Sequence, residues 1–82
     1  MGRFKYFVTR ITIMAYMLVY DIPKELASLR VRVNRSLHAM NAKLVQHSVW
    51  KSKNLKGLME VAKLIKAKGG KAYILEEKFA FS

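Results

Sequence analysis

The chain has no cysteine, one proline and four glycines in 82 residues, and five acidic residues against sixteen lysines and arginines. Without cysteine there is no disulfide framework, no thiolate metal site and no cysteine nucleophile, and a small secreted domain would normally need such staples. The expected compartment is therefore the cytoplasm. The scarcity of proline and glycine, beside a hydrophobic fraction of 52%, excludes a disordered basic tail. No apolar run has the length of a membrane span; the one beginning at Met14 stops at Asp21, and no membrane partner is expected. Arg3, Lys5 and Arg10 precede that run as in a secretory signal, but no small-residue cleavage site follows, so that reading is rejected.

What the chain has in excess is positive charge, a formal +11. A field of that size on a small domain makes a polyanion the default partner, nucleic acid first. A chain this short buries only roughly 60% of the surface its unfolded form exposes, so a homodimer would help it.

Residues 1–13 mix basic and β-favouring residues and read as an extension, either an added edge strand or an arm, with Met14 a second candidate for the first residue. The domain proper is expected over 14–82. From about Thr12 to Ile22 the chain is nearly all apolar, as in a central strand. Pro23 suits a helix start. Leu26, Leu29, Val33, Leu37 and Met40 then recur at helical spacing, defining the buried face of a helix over about Lys24 to Met40, with Asn41 as its stop. Lys43 to Ser52 is β by composition, Leu44, Gln46, Ser48 and Trp50 alternating with Val45, His47 and Val49. Ser52 or Asn54 can cap a second helix, with Leu55, Leu58, Met59, Ala62 and Ile65 on its apolar face and Gly69-Gly70 as its end. Lys71 to Leu75 is read as a strand, and Lys78 to Phe81 as a further short one.

Two helices that need a sheet to cover imply an open α/β (α+β) sandwich. A ferredoxin-like β-α-β-β-α-β sandwich additionally requires Lys43 to Ser52 to bend into two short strands.

Asp21, the only aspartate, ends the apolar run and is the candidate for chemistry. Two roles fit it. Magnesium takes oxygen ligands and commonly binds one or two carboxylates plus phosphate oxygens, so one aspartate per chain suffices only if two chains bring theirs together. The other role is to begin the turn at Pro23. His38 and His47 are the candidate bases; His38 is read on the outer side of the first helix, and a structural or surface role is expected for both. There is no Gly-rich phosphate loop and no metal-spaced His pair. Arg32, Arg35, Lys43, Lys51 and Lys53 are the candidate phosphate-binding groups, as against a solvated face. Arg30, beside the apolar face, reads as a structural or dimer-edge arginine that pairs with a backbone carbonyl or with Asp21. Trp50 suits either base stacking or a core or interface position.

Three local patterns resemble the CRISPR-associated protein two family, the small subunit of the CRISPR adaptation machinery. They are Tyr20-Asp21-Ile22 at the end of the first strand, Leu29-Arg30-Val31-Arg32-Val33 in the first helix, and Gln46-His47-Ser48-Val49-Trp50 in the second strand region. The resemblance covers roughly Met14 to Phe81. It implies a ferredoxin-like protomer, a two-fold homodimer with Tyr20, Arg30, Ser48 and Trp50 in structural or dimer-edge positions, and Asp21 of each copy facing the other about magnesium. The implied function is CRISPR adaptation and antiviral defence: nucleic-acid binding, RNA or DNA, with the integrase subunit as partner and a metal-dependent endonuclease activity resting on Asp21. The chain departs from the family pattern at Trp50-Lys51-Ser52, where an acidic residue and glycine often follow, in its short C-terminal tail, and in residues 1–13. Two other functions fit the same architecture: a non-catalytic structural nucleic-acid-binding protein and a toxin-like ribonuclease.

Overall fold

The computed structural model describes the backbone of residues 10–81 and the side chains of residues 14–78. The apolar run forms the second half of β1 (Arg10–Asp21), and both edges of β1 are occupied. On one side it pairs with β3 (Val49–Ser52), on the other with β4 (Lys71–Phe81); β2 (Lys43–Gln46) completes the sheet beyond β3, in the order β2-β3-β1-β4. Every neighbouring pair is antiparallel. Helix α1 (Ala27–Ala39), entered through a 3₁₀ turn at Lys24–Leu26, joins β1 to β2, and α2 (Leu55–Ala67) joins β3 to β4. Each helical connection thus steps over one strand, which leaves a β-α-β-β-α-β chain with a single four-stranded sheet.

Side-chain alternation along β1 decides which face the helices cover. Leu18, Tyr20 and Ile22 point into one cluster with Leu29, Val33 and Leu37 of α1 and Leu58, Val61 and Ile65 of α2. Each such aliphatic burial contributes roughly 1.5–3 kcal/mol relative to exposure. The opposite face carries Met17, Val19, Tyr73 and Leu75, with Tyr73 at 61% and Leu75 at 50% exposure, and no helix among the described residues lies over it. Among the described residues no helix is long and apolar enough to cross a membrane.

The helix ends follow the residues expected to make them. Asn54 Oδ1 accepts from Gly57 N at 2.9 Å, so Asn54, not Ser52, caps α2; Ser52 Oγ instead accepts from Asn54 N at 2.9 Å. At the other end Gly69 has φ 101°, while Gly70 N donates to Ile65 O and Gly69 N to Lys66 O. This pair of bonds satisfies carbonyls that the last turn leaves open. Helix α1 closes the same way: Asn41 takes φ 58°, with Ala42 N donating to Leu37 O.

Lys43 to Ser52 bends into the two short strands that the ferredoxin-like arrangement requires, a hairpin that turns at His47-Ser48, with Ser48 at φ 62° and the register shifted between Leu44 and Gln46, so one alternation does not run through the whole segment. All of β2 is exposed, including Leu44 at 59%. Lys78 to Phe81 is no separate strand, because β4 runs on, paired with Arg10 to Ile13 of β1; the boundary placed at Met14 falls within β1, and residues 1–9 of the extension lie outside the described residues. Helix α2 buries Val61 beside Leu58, Ala62 and Ile65 and leaves Met59 at 45% exposure.

Candidate nucleic-acid interface

Three of the lysines assigned to phosphate come together at one end of the sheet. Lys43 of β2 and Lys51 of β3 are direct cross-strand partners, and both line a cleft of about 480 Å³ with Lys53 and Asn54 at the start of α2. Like charges directly opposite in an antiparallel pair are destabilising, and the first turn of a helix adds its own positive end. One carboxylate answers them: Lys51 Nζ lies 3.2 Å from Glu77 Oε2. That pair is about one-third exposed on each side, so its contribution is small, roughly 0–1 kcal/mol. The local charge stays positive. Arg32 and Arg35 are exposed on α1 and line neither this cleft nor the one described next.

A second cleft, of about 400 Å³, opens where β1 ends, between α1 and the His47-Ser48 turn. Asp21 lies at its border, with Arg30, Asn34 and His38 along α1 and His47 on the turn. Its floor is Trp50, a buried core residue whose Nε1 donates to the Tyr20 hydroxyl at 3.3 Å. Of the two expected roles for Trp50, core and stacking platform, the indole is in the core. The turn is tied back to the sheet by Tyr20 N, which donates to Ser48 O at 3.1 Å. Arg30 takes the carbonyl alternative, Nη2 donating to Ile22 O at 2.9 Å.

His38 is exposed, as expected of a surface residue, but it is not turned away from the sheet: it meets Trp50 edge-on, ring centroids 5.2 Å apart at 87°. Arg30, Asn34 and His38 are spaced four apart, one step round from Leu29, Val33 and Leu37, and residues four apart share a helix face. That parallel spacing was the signal; reading the apolar residues alone passed over it.

Comparison with family models, with curated proteins and with solved structures finds no match to this chain. The site is therefore read from its own residues.

For magnesium, the residues of one chain do not fit. Asp21 is exposed, its cross-strand partner is Lys71, and among the described residues no three of His, Cys, Asp and Glu gather into a metal-holding group. Its carboxylate takes part in neither described ion pair, Lys51–Glu77 or Lys78–Glu76.

Proposed function

We propose that this is a nucleic-acid-binding protein of ferredoxin-like architecture that grips the phosphate backbone through the Lys43, Lys51 and Lys53 cluster, the role of the small CRISPR adaptation subunit it resembles. The observation that carries the reading is the opposed Lys43–Lys51 pair, because a fold gains nothing from two like charges set face to face, whereas a phosphate bridging them relieves the repulsion. The formal +11 of the chain supplies the long-range attraction. The exposed apolar residues of the helix-free face on β4, Tyr73 and Leu75, favour a homodimer formed along the β4 side of that face, the side away from Lys43 on the β2 edge. Asp21, by alternation from Met17 and Val19, lies at the end of that face.

The magnesium-dependent endonuclease implied by the same resemblance is a second reading. It needs the Asp21 of a second copy, and the exposed position of Asp21 on the helix-free face is what favours it. The integrase partner rests on the resemblance alone.

The test of the binding reading is the salt dependence of affinity for labelled duplex DNA and for RNA, with the full chain beside a Lys43→Gln, Lys51→Gln, Lys53→Gln variant. A surface making about 6–10 phosphate contacts loses on the order of 10³–10⁵ in affinity between about 50 and 200 mM salt. The variant should bind more weakly on every sequence and lose about 1 from the salt slope for each lysine removed. An unchanged slope would move the interface elsewhere, and no binding at low salt would end the proposal.

A further inference from the structure

The α1 ridge of Arg30, Asn34 and His38 faces the His47-Ser48 turn across a cleft of about 400 Å³, and the lysine grip uses none of it. We propose that this cleft receives one nucleotide of single-stranded RNA and cleaves the chain there without a metal ion, His38 and His47 transferring the protons. The inference rests on the nucleic-acid reading above.

Size and lining both fit a nucleotide. Ligand sites commonly run from about 300 to 1,000 Å³, mostly apolar with a few placed polar groups. Here the exposed Leu44 supplies an apolar wall for a base, over a floor closed by the buried Trp50, and Arg30, Asn34 and the two imidazoles supply donors for a phosphate. Arg30 is already held: one of its N–H groups is committed to Ile22 O at 2.9 Å, which leaves the rest of the fork for an anion without the cost of ordering a free side chain. The His38 ring is oriented by its edge contact with Trp50. Both imidazoles are on exposed residues, one from a helix and one from a turn. They line the cleft from different elements.

Two imidazoles brought to one cleft by two elements suit phosphoryl transfer, in which the attacking and leaving oxygens lie on opposite sides of phosphorus and each needs its own proton-transferring group. One imidazole takes the proton of the ribose 2′-hydroxyl as that oxygen forms a bond to phosphorus. The bond from phosphorus to the 5′ oxygen of the next nucleotide breaks, and the other imidazole gives that oxygen a proton. The products are a 2′,3′-cyclic phosphate and a 5′-hydroxyl, and no oxidant, reductant or water is consumed. Imidazole is the side chain suited to both proton roles near neutral pH. DNA has no 2′-hydroxyl and is bound without being cut.

The experiment incubates the full chain, in chelator, with end-labelled single-stranded RNA and with DNA of the same sequence, measuring binding in the same samples. His47→Ala and His38→Phe are run alongside, the second keeping an aromatic edge against Trp50. Chelator-resistant cleavage of RNA alone, with cyclic-phosphate ends and a fall of at least about 100-fold in each variant, supports the assignment. RNA that is bound but never cut, or cut to 3′-hydroxyl ends, overturns it and leaves the lysine grip standing. Cleavage that survives both substitutions overturns it too, and a chain that binds neither polymer removes both readings together.

Discussion

Lys43 and Lys51 stand directly opposite each other across β2 and β3, and only Lys51 has a carboxylate within reach, Glu77 at 3.2 Å. The pair is a place where stability and polyanion binding pull in opposite directions. Lys43→Thr should raise stability by about 0.2–1 kcal/mol, because it removes the like-charge repulsion and puts a β-favouring residue on an edge strand. The same change should weaken nucleic-acid binding. Urea unfolding and salt-dependent binding on one sample check both signs, and a loss of stability on substitution would mean the lysines do not repel in the folded protein.

Among the described residues, Tyr20 and Trp50 make the one buried pair joined by a side-chain hydrogen bond. Tyr20→Phe leaves the indole N–H inside the core without its acceptor, a change expected to cost about 1–3 kcal/mol. At 3.3 Å the bond is long for its kind, which places the expectation toward the lower limit. Adding Trp50→Phe removes the stranded donor, so the double variant should lose less than the two single losses summed. A double-mutant cycle by chemical unfolding reads that coupling directly.

Asp21→Ala should leave the fold nearly unchanged, within about 0.5 kcal/mol, as surface substitutions away from packing and caps usually do. Its carboxylate enters neither described ion pair, and the turn that follows is held by Leu26 N donating to Pro23 O and by Arg30 donating to Ile22 O. Lysine-based binding should persist as well. Any magnesium- or manganese-dependent cleavage should vanish in this variant, and persistence of such cleavage would show that the carboxylate does not hold the metal.

Much of the fold can be read from spacing because local chemistry and packing agree there. Leu29, Val33 and Leu37 recur every four residues and are all buried; Asn54 and Gly69 are the residue types their positions require. The position of Arg30 beside the apolar stripe points to either a backbone carbonyl or Asp21 as its partner, and the structure takes the first, Ile22 O. The hairpin follows from the ferredoxin-like arrangement, but the place of its turn has no local mark, since His47-Ser48 contains no glycine or asparagine to signal the positive φ that Ser48 adopts. The length of β4 depends on partners from the far end of the chain, Arg10 to Ile13, and no local pattern near Lys78 reports them. The cleft was missed for a related reason: Arg30, Asn34 and His38 come from one helix, but His47 joins them only because the hairpin folds over.

Gly69 and Gly70 are adjacent, yet they are glycine for different reasons, and substitution separates the two. Gly69 has φ 101° with nothing within 4 Å of where a Cβ would stand, so its constraint is backbone conformation alone. Gly69→Ala should cost roughly 1–2 kcal/mol, the penalty of a left-handed L-residue, and Gly69→Asn distinctly less, since asparagine takes that region at Asn41 already. At Gly70 a Cβ would stand 2.6 Å from Ile65 Cγ2 and 3.0 Å from the carbonyl oxygen of Asp21. Ile65 is fully buried, and a side chain fixed in a close-packed core cannot yield without strain, for which overpacking costs of about 1–3 kcal/mol are typical. Gly70→Ala and Gly70→Asn should therefore be about equally damaging, because asparagine relieves nothing there. Thermal unfolding of the four variants distinguishes the cases. Asparagine rescuing position 70 as well as 69 would show that backbone angle, and not the packing of Ile65 against the end of β1, is what both glycines serve.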